Sequence, residues 1–159
     1  MIEYRKGDLF SIPADGRILL HAVNGVGKWG SGIAAEFAKR YPNAYQIYTY
    51  TCQKNLAEGN KAGYGFLVSA EAEIGCLVTS HKYGPQKDSP EQILKQTQSA
   101  LREFLALKHV NAYLDQGYEI HSPKINAGLF AVPWKETVDI LEQELKLNGK
   151  NIKWVVWEL

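Results

Sequence analysis

Hydrophobic residues fall into short runs that predict β-strands, and these runs are separated by segments whose apolar positions have helical spacing. The run RILLHAV at 17–23 is apolar almost throughout, which is typical of a strand covered on both faces of a sheet. The other predicted strands are IEYR (2–5), FLVS (66–69), GCLVTS (75–80), EIHSPKIN (119–126) and IKWVVWEL (152–159). FLVS and GCLVTS are near enough in sequence to form a hairpin or two adjacent strands.

Helices are predicted between these strands. The segment GIAAEFAKRY after Ser31 has helical spacing, and Pro42 either ends that helix or begins another one. NAYQIYTYTCQ (43–53) fits the helical and the strand period in part, and a helix is favoured. Further helices are predicted from Pro90 to Leu107, with Ser89 as N-cap, and from Pro133 to about Leu147, where Asn148-Gly149 ends it; residues 59–65 and 81–90 are predicted loops.

The order of these elements predicts the fold class. Strands alternate with helices and several strands are apolar throughout, so we expect an α/β sandwich whose mostly parallel sheet is covered on both faces. No repeat, low-complexity segment or linker interrupts residues 1–159, and we expect a single domain. In such sheets ligands bind where loops leave the carboxyl ends of the strands, so the site is expected in those loops.

Composition narrows the classes of function. The chain has 159 residues, of which 18 are Lys or Arg and 17 are Asp or Glu, so its formal net charge is +1. A chain with so little net charge has no overall field that would gather a polyanion, which argues against general nucleic-acid binding. A small anionic ligand bound by backbone groups stays possible.

Signals for targeting and for metals are not found in the sequence. The N-terminus MIEYRKGDLF lacks the apolar core of a signal peptide and no apolar run is long enough for a membrane span, so we expect a soluble, intracellular (cytoplasmic) protein. Cys52 and Cys76 form neither a zinc pattern nor a CxxC motif, and both are expected to be reduced and buried. We expect no metal site and no cofactor.

The most informative motif is a cluster of glycines after the strand at 17–23. The string Gly25-Val26-Gly27-Lys28-Trp29-Gly30 matches G-x-G-x-x-G, but it follows the second strand, and no acidic residue lies between Glu36 and Glu58, which argues against a dinucleotide fold. No Gly-Lys-Ser/Thr follows either, as a Walker loop would require. Glycines let the backbone approach a ligand closely, and the helix that begins near Ser31-Gly32-Ile33 offers unpaired N–H groups to a phosphate.

A second glycine loop, from Ile125 to Ala131, also follows a predicted strand and leads into a helix at Pro133. For either loop alone, a tight turn without a ligand explains the glycines equally well. Two such loops at the ends of buried strands favour a ligand, and two phosphate-binding loops that face each other suit a diphosphate.

Three strings of residues together resemble a macrodomain. They are Lys6-Gly7-Asp8-Leu9, then His21-Ala22-Val23-Asn24 with Trp29-Gly30-Ser31-Gly32-Ile33-Ala34, then Asn126-Ala127-Gly128-Leu129-Phe130-Ala131-Val132-Pro133-Trp134. The resemblance spans nearly the whole chain and is strongest to the yeast ADP-ribose 1″-phosphate phosphatase branch, whose second loop is similar to INAGLFAVPWKET. It extends to the branch of terminal ADP-ribose protein glycohydrolase and the DNA ADP-ribosyl glycohydrolase antitoxins. It implies a three-layer α/β/α sandwich with a six-stranded, mixed, mostly parallel sheet that binds ADP-ribose.

The resemblance also implies a set of ligand contacts. Asp8, with Leu9 beside it, would accept a hydrogen bond from the adenine amino group, and the Asn24 amide would contact the distal ribose. Without a ligand, Asp8 is a turn residue and Asn24 an Asx cap. Trp29 would either cover the distal ribose or pack beneath its loop. The other implied ligand-binding residues are Ser31, Gly32, Ile33 and Ala34 around the diphosphate, Thr79 at a strand end, and Asn126, Gly128, Leu129 and Phe130 on the opposite side.

Departures from the glycohydrolase pattern bear on the reaction. That branch uses a lysine directly after the threonine that ends a strand, where this chain has Thr79-Ser80, and its protein-directed members use an aspartate where this chain has Phe130. The phosphatase branch shares the Thr-Ser ending, which favours hydrolysis of a phosphomonoester. The candidate catalytic residues are then Asn24, Ser80 and His81. His81 could act as acid or base near neutral pH, or be an exposed loop histidine.

The sequence therefore favours an enzyme that removes the 1″-phosphate of ADP-ribose 1″-phosphate, a by-product of tRNA splicing. Two alternatives stay open: a module that binds ADP-ribose without turnover, and a hydrolase that removes ADP-ribose from modified protein or DNA. The expected partners are ADP-ribose and ADP-ribose 1″-phosphate, with no membrane, and with nucleic acid only as an ADP-ribosylated substrate.

Overall fold

In the computed structural model, which describes residues 2–159, six strands form a single sheet. They are β1 (Ile2–Lys6), β2 (Arg17–Asn24), β3 (Tyr64–Ser69), β4 (Glu73–Ser80), β5 (Glu119–Ser122) and β6 (Trp154–Glu158). Their spatial order is β1-β6-β5-β2-β4-β3. Among these strands β3 runs antiparallel to β4, and every other neighbouring pair is parallel. The expected six-stranded, mixed and mostly parallel sheet is confirmed.

Helices cover both faces of this sheet. They are α1 (Gly32–Arg40), α2 (Pro42–Ala57), α3 (Pro90–Ala106), α4 (Lys108–Asp115) and α5 (Trp134–Asn148). α1 and α2 pack on one face around Phe37 and Tyr48, whereas α3, α4 and α5 pack on the other around Phe104 and Leu141. Alternate residues of β2 enter the two cores, as expected for a strand buried on both faces. None of the helices within residues 2–159 is long and apolar enough to cross a membrane. The three-layer α/β/α sandwich is confirmed.

Several local helix signals act as predicted. NAYQIYTYTCQ lies in α2, which begins at Pro42, so the helix favoured for this segment is confirmed. The Ser89 hydroxyl caps α3 by accepting a hydrogen bond from the Gln92 N–H at 3.2 Å. The last helix ends at Asn148, before Gly149, whose φ of +79° gives the left-handed C-cap that glycine favours. These boundaries follow from residues next to the boundary itself.

Two strand boundaries differ from the sequence predictions. β3 begins at Tyr64, inside the segment predicted as a loop, because residues from Tyr64 onward pair with β4. β5 ends at Ser122 rather than at residue 126. Pro123 has no N–H for a further ladder bond, so the predicted strand is wrong beyond that point.

α4 has no counterpart in the sequence predictions. The break between α3 and α4 lies at Leu107, whose backbone is extended, and neither glycine nor proline marks it. Asn111 stabilises the break, because its Nδ2 donates to the carbonyls of Leu105 and Leu107, each at 2.9 Å. The carbonyls at the end of α3 are therefore satisfied by a side chain of the next helix.

The topology places both glycine loops at one edge of the sheet. β2, β4 and β5 are parallel neighbours, so their carboxyl ends meet at the same edge. The first glycine loop (residues 25–31) follows β2 and leads into α1, and the second glycine loop (residues 125–131) follows β5 and leads to α5 on the other face. The β4 loop (residues 81–89) leaves the same edge beside the first glycine loop.

His21 lies in the core of β2, close beneath the first glycine loop. It has no exposed surface, and its ring stacks on Phe37 with 3.9 Å between the ring centroids. Neither ring nitrogen has a hydrogen-bond partner among the described residues. Burial lowers the pKa of His21 to about 3, so its ring is neutral in the folded chain over the physiological range.

Acid should therefore destabilise the fold through His21. Because the folded-state pKa lies below that of an unfolded histidine, the unfolded chain binds a proton that the folded chain does not, and stability falls as the pH drops below about 6.5. Between about pH 7.5 and about pH 5.5, the wild type should lose about 1 kcal/mol more unfolding free energy than a His21→Phe variant. Urea titrations at the two pH values measure this, and equal losses in the two proteins would contradict it.

Candidate ligand-binding site

The side chain of Asn24, the last residue of β2, shapes the first glycine loop. Its Oδ1 accepts hydrogen bonds from the N–H groups of Gly27 (3.1 Å) and Lys28 (3.2 Å), and its Nδ2 donates to the Lys28 carbonyl (2.7 Å). The Tyr48 hydroxyl donates to the Asn24 carbonyl. The Asn24 amide thus forms the Asx cap that was one of its two expected roles. One of its two Nδ2 hydrogens has no acceptor among the described residues.

The glycines of this loop are required by its path. A Cβ on Gly25 would lie 2.0 Å from the carbonyl oxygen of Lys61, so no side chain fits there. Gly32, at the start of α1, has a φ of +61°, and a Cβ on it would lie 3.1 Å from Leu129 Cδ1 of the second glycine loop. The two loops therefore approach each other closely at this point.

Trp29 packs beneath the first glycine loop. It is 2% exposed, and its indole stacks on Tyr45 and Tyr48 with 5.2 and 4.7 Å between ring centroids. Its backbone N–H donates to the Tyr45 hydroxyl at 3.2 Å. The structure thus corrects the expectation that Trp29 binds the ligand: burial against the aromatic side chains of α2 leaves no face of the indole to cover a ribose. Trp29 instead supports the loop.

The start of α1 presents unpaired backbone N–H groups. Gly32, Ile33 and Ala34 form the first turn, where N–H groups have no acceptor within the helix, and none of the three bonds to another residue in the range 2–159. Ser31 is the N-cap residue, and its hydroxyl makes no capping bond. The positive end of the helix dipole adds to these donors, so an anion is favoured here.

Asn126 anchors the second glycine loop through a buried network. Its Oδ1 accepts from the Thr79 hydroxyl at 2.8 Å, and its Nδ2 donates to the hydroxyls of Thr97 (2.9 Å) and Thr137 (3.4 Å). Its φ of +67° is left-handed, a conformation that asparagine adopts more readily than most residues. The network ties the loop to β4, α3 and α5. Thr79 therefore acts through Asn126 and does not border the space between the loops.

The tip of the second glycine loop offers another set of donors. The N–H groups of Gly128, Leu129 and Phe130 bond to no acceptor in the described part of the chain. A Cβ on Gly128 would meet no described atom within 4 Å, so this position faces open space. N–H donors from two different loops thus border one space.

That space is a cleft of about 570 Å³, a volume typical of small-molecule sites. The predicted site residues that border it are Asn24, Ser31, Gly32, Ile33, Ala34, Asn126, Gly128, Leu129 and Phe130. Sequence reasoning missed Lys28, Tyr83 and Lys124, which border it too. Lys28 could have been identified from its position inside the glycine motif, and Tyr83 from its position next to Gly84-Pro85.

Asp8 and Leu9 lie outside this cleft, just after β1. Asp8 is exposed, and its Oδ1 accepts a hydrogen bond from the Phe10 N–H at 2.9 Å, which is the turn that the sequence left open. The Leu9 side chain is 3% exposed and belongs to the core, whereas its N–H has no acceptor within residues 2–159. Asp8 Oδ2 and the Leu9 N–H stay available to a ligand that extends beyond the cleft.

Ser80 and His81 do not border the cleft either. Ser80 is fully buried, and its hydroxyl donates to the Lys82 carbonyl (2.7 Å) and accepts from the Asp88 N–H (3.0 Å). The structure thus corrects Ser80 from a candidate that touches a substrate to a residue that fastens the β4 loop. Burial, and then the positive charges of Lys61 and Lys82, lower the pKa of His81, so its ring is neutral near neutral pH.

The arrangement suits an elongated, anionic small molecule. Two opposing sets of N–H donors fit the oxygens of a diphosphate, and Lys28 and Lys124 place positive charge at the border of the cleft. Lys124 also forms an ion pair with Glu158, whose carboxylate lies 3.5 Å from the Lys124 Nζ. Within residues 2–159 no group of three or more His, Cys, Asp or Glu side chains is placed to hold a metal ion.

Comparison with known proteins agrees with this architecture. A Candida albicans protein named ADP-ribose 1″-phosphate phosphatase is 40% identical over 154 residues, covering 90% of this chain and 93% of that protein. A Saccharomyces cerevisiae protein of the same name is 32% identical over 164 residues, covering 89% and 92%. The solved macrodomain of Mycobacterium tuberculosis DarG superimposes with a TM-score of 0.76 at 21% identity, covering 100% of this chain and 98% of that one. The Macro domain family model matches residues 20–141. The chain therefore belongs to the macrodomain family.

Proposed function

We propose that this chain hydrolyses the 1″-phosphate of ADP-ribose 1″-phosphate, releasing ADP-ribose and inorganic phosphate. The observation that carries the proposal is the nearly full-length similarity, at 32–40% identity, to proteins named for that activity. The cleft supports it independently, because its two sets of N–H donors suit the diphosphate of ADP-ribose.

In this proposal ADP-ribose lies along the edge of the sheet, from the end of β1 to the first glycine loop. The free Oδ2 of Asp8 would accept a hydrogen bond from the adenine amino group, and the Leu9 N–H would donate to a ring nitrogen. The diphosphate would accept hydrogen bonds from the start of α1 and from the tip of the second glycine loop. The distal ribose would then lie between Asn24 and Phe130, which both border the cleft.

Hydrolysis of a phosphomonoester requires water to attack phosphorus while a proton reaches the departing 1″-oxygen. His81 is the titratable member of the candidate catalytic set. Its lowered pKa leaves the ring neutral, so it can accept a proton from the attacking water and pass that proton to the departing 1″-oxygen. Ser80 contributes indirectly, by fastening the β4 loop that carries His81. Asn24 contributes by shaping the first glycine loop beside the ribose. The reaction is thus expected where the first glycine loop meets the β4 loop.

Phosphate release from ADP-ribose 1″-phosphate tests the proposal directly. We expect release well above a buffer blank, and slower release by a His81→Ala variant whose binding of ADP-ribose, measured by calorimetry, is unchanged. The calorimetric measurement separates loss of chemistry from loss of the ligand site, because ADP-ribose lacks the reacting phosphate.

Two other outcomes would replace the proposal. Binding of ADP-ribose without phosphate release would make the chain a binding module. Removal of ADP-ribose from modified protein or DNA would make it an ADP-ribosyl hydrolase, with Lys82 the first residue to substitute, although Ser80 stands where the resemblance places the lysine of that branch. An intracellular location, and nucleic acid as a partner only when ADP-ribosylated, belong to the same proposal.

A further inference from the structure

A second cleft, of about 530 Å³, adjoins the ligand cleft. It lies between the first glycine loop, which contributes Val26 and Lys28, and the β4 loop, which contributes residues 82–86. Lys28 and Tyr83 border both clefts, so the two spaces meet at these side chains. The function proposed above expects the reaction near these two loops but assigns no group of the ligand to this second cleft.

The second cleft is positively charged. Lys28 and Lys82 both border it, and neither has a carboxylate within ion-pair distance among residues 2–159. The acidic side chain of the β4 loop, Asp88, is engaged elsewhere, because its Oδ2 accepts from the His81 N–H (2.9 Å) and from Gln96 Nε2 (3.0 Å). Lys28 and Lys82 thus place unpaired positive charge at this cleft, which suits an anionic occupant.

The backbone under both lysines is held in place. The N–H and the carbonyl of Lys28 both bond to the Asn24 side chain, and the carbonyl of Lys82 accepts from the Ser80 hydroxyl. The backbone therefore holds Lys28 and Lys82 on the two loops that border the cleft, and only their side chains are free to move. Asn24 and Ser80 thus have the same structural role, because each holds the backbone of one of the two loops that form the cleft.

The topology fixes which end of the ligand reaches the second cleft. Asp8, the proposed adenine contact, follows β1 at one edge of the sheet, whereas the β4 loop follows β4, on the far side of β2 in the order β1-β6-β5-β2-β4-β3. A ligand that begins at Asp8 and passes between the glycine loops therefore points its distal end toward the β4 loop. The group attached to the distal ribose is the one that enters the second cleft.

We propose that the second cleft is the binding site for the 1″-phosphomonoester, and that Lys28 and Lys82 bind its oxygens while Tyr83 borders the passage from the ribose. This rests on the proposed function and deepens it. Lys82 would then determine specificity, because it borders only the second cleft, whereas Lys28 borders both clefts and also lies near the diphosphate. An exposed ammonium group attracts a phosphate dianion as a point charge, and added salt should weaken this attraction.

A double variant, Lys28→Met with Lys82→Met, tests the assignment. Methionine keeps most of the length of the side chain and removes the charge. Calorimetry with ADP-ribose, and the KM for ADP-ribose 1″-phosphate, are measured on the wild type, the double variant and the single variant Lys82→Met at low and at high salt. We expect KM to rise about tenfold or more in the double variant, and the Kd for ADP-ribose to change by less than about twofold in the single variant Lys82→Met, because Lys82 borders only the second cleft. Lys54→Met, in the last turn of α2 and outside both clefts, is the matched control and should change neither value.

The outcome can be separated from that of the proposed function. If the wild type releases no phosphate, ADP-ribose 1″-phosphate is itself an unreacted ligand, and its calorimetric Kd is compared with that of ADP-ribose in both proteins. Tighter binding of the phosphorylated ligand by the wild type, lost in the double variant, supports the assignment. Equal binding of the two ligands by the wild type, or a preference that survives both substitutions, overturns it.

Two further probes test other anions for the same cleft. Inorganic phosphate alone should bind far more weakly than the tethered phosphomonoester, because it lacks the contacts of the ADP-ribose part. Binding of inorganic phosphate as tight as that of the ester would show a free anion site and overturn the assignment. Competition by a single-stranded DNA oligomer that depends on Lys28 and Lys82 would show a polynucleotide groove and overturn it as well.

Discussion

A Gly128→Glu variant should lose ADP-ribose binding and keep its fold. Gly128 borders the ligand cleft, its φ is outside the left-handed region, and a Cβ there meets no described atom within 4 Å. A glutamate can therefore be built without strain, but it places bulk and a negative charge beside the N–H donors of both loops. Because the proposed ligand is a diphosphate, like-charge repulsion should lower the affinity by more than about 100-fold.

Calorimetry with ADP-ribose measures that loss, and thermal unfolding without ligand checks that the variant is folded. Gly128→Gln has nearly the same bulk without the charge, so it should bind ADP-ribose weakly but measurably. Gly128→Ala should stay close to wild type, because a methyl group fits the open space. Unchanged affinity in a folded Gly128→Glu variant would remove the second glycine loop from the site.

The fold is predictable from sequence where a local signal and the final packing agree. β2 is apolar over most of its length because both of its faces are covered, and that pattern is visible without any knowledge of its neighbours. α4 shows the opposite case. The break at Leu107 follows from the packing of Val110 into the same core as Phe104, together with the Asn111 hydrogen bonds, and none of these is a local signal.

The residues of the candidate site could likewise be predicted only where their requirements are local. The glycines and the start of α1 could be identified because their backbone requirements are local. The place of Trp29 stayed open and Ser80 was placed incorrectly because their partners lie elsewhere in the chain: Trp29 stacks on Tyr48 of α2, and Ser80 bonds to Asp88 at the far end of the β4 loop. A tryptophan among glycines joins no visible helix or strand pattern in sequence, and only the packing of α2 shows that it is buried.

Substitution of Asn24 by alanine should lower turnover much more than affinity. It removes the acceptor for the Gly27 and Lys28 N–H groups, which should cost about 2 kcal/mol of stability and release the loop beside the reacting end of the ribose. The N–H donors at the start of α1 and in the second glycine loop have supports of their own. ADP-ribose affinity should therefore fall less than about tenfold, and kcat more than about 100-fold, because displacement of the reacting groups is poorly tolerated.

Asn24→Asp separates the two roles that the amide could have in this effect. Aspartate keeps an acceptor for Gly27 and Lys28 but loses the donor that now reaches the Lys28 carbonyl and could also reach a ribose hydroxyl. A kcat restored toward wild type would identify the cap as the source of the effect, whereas a kcat as low as that of Asn24→Ala would identify the donor. Steady-state kinetics and calorimetry on both variants make this comparison. Loss of affinity with an unchanged kcat in Asn24→Ala would contradict a role in the reaction, since a residue that only binds the ligand stabilises the ground state and the transition state alike.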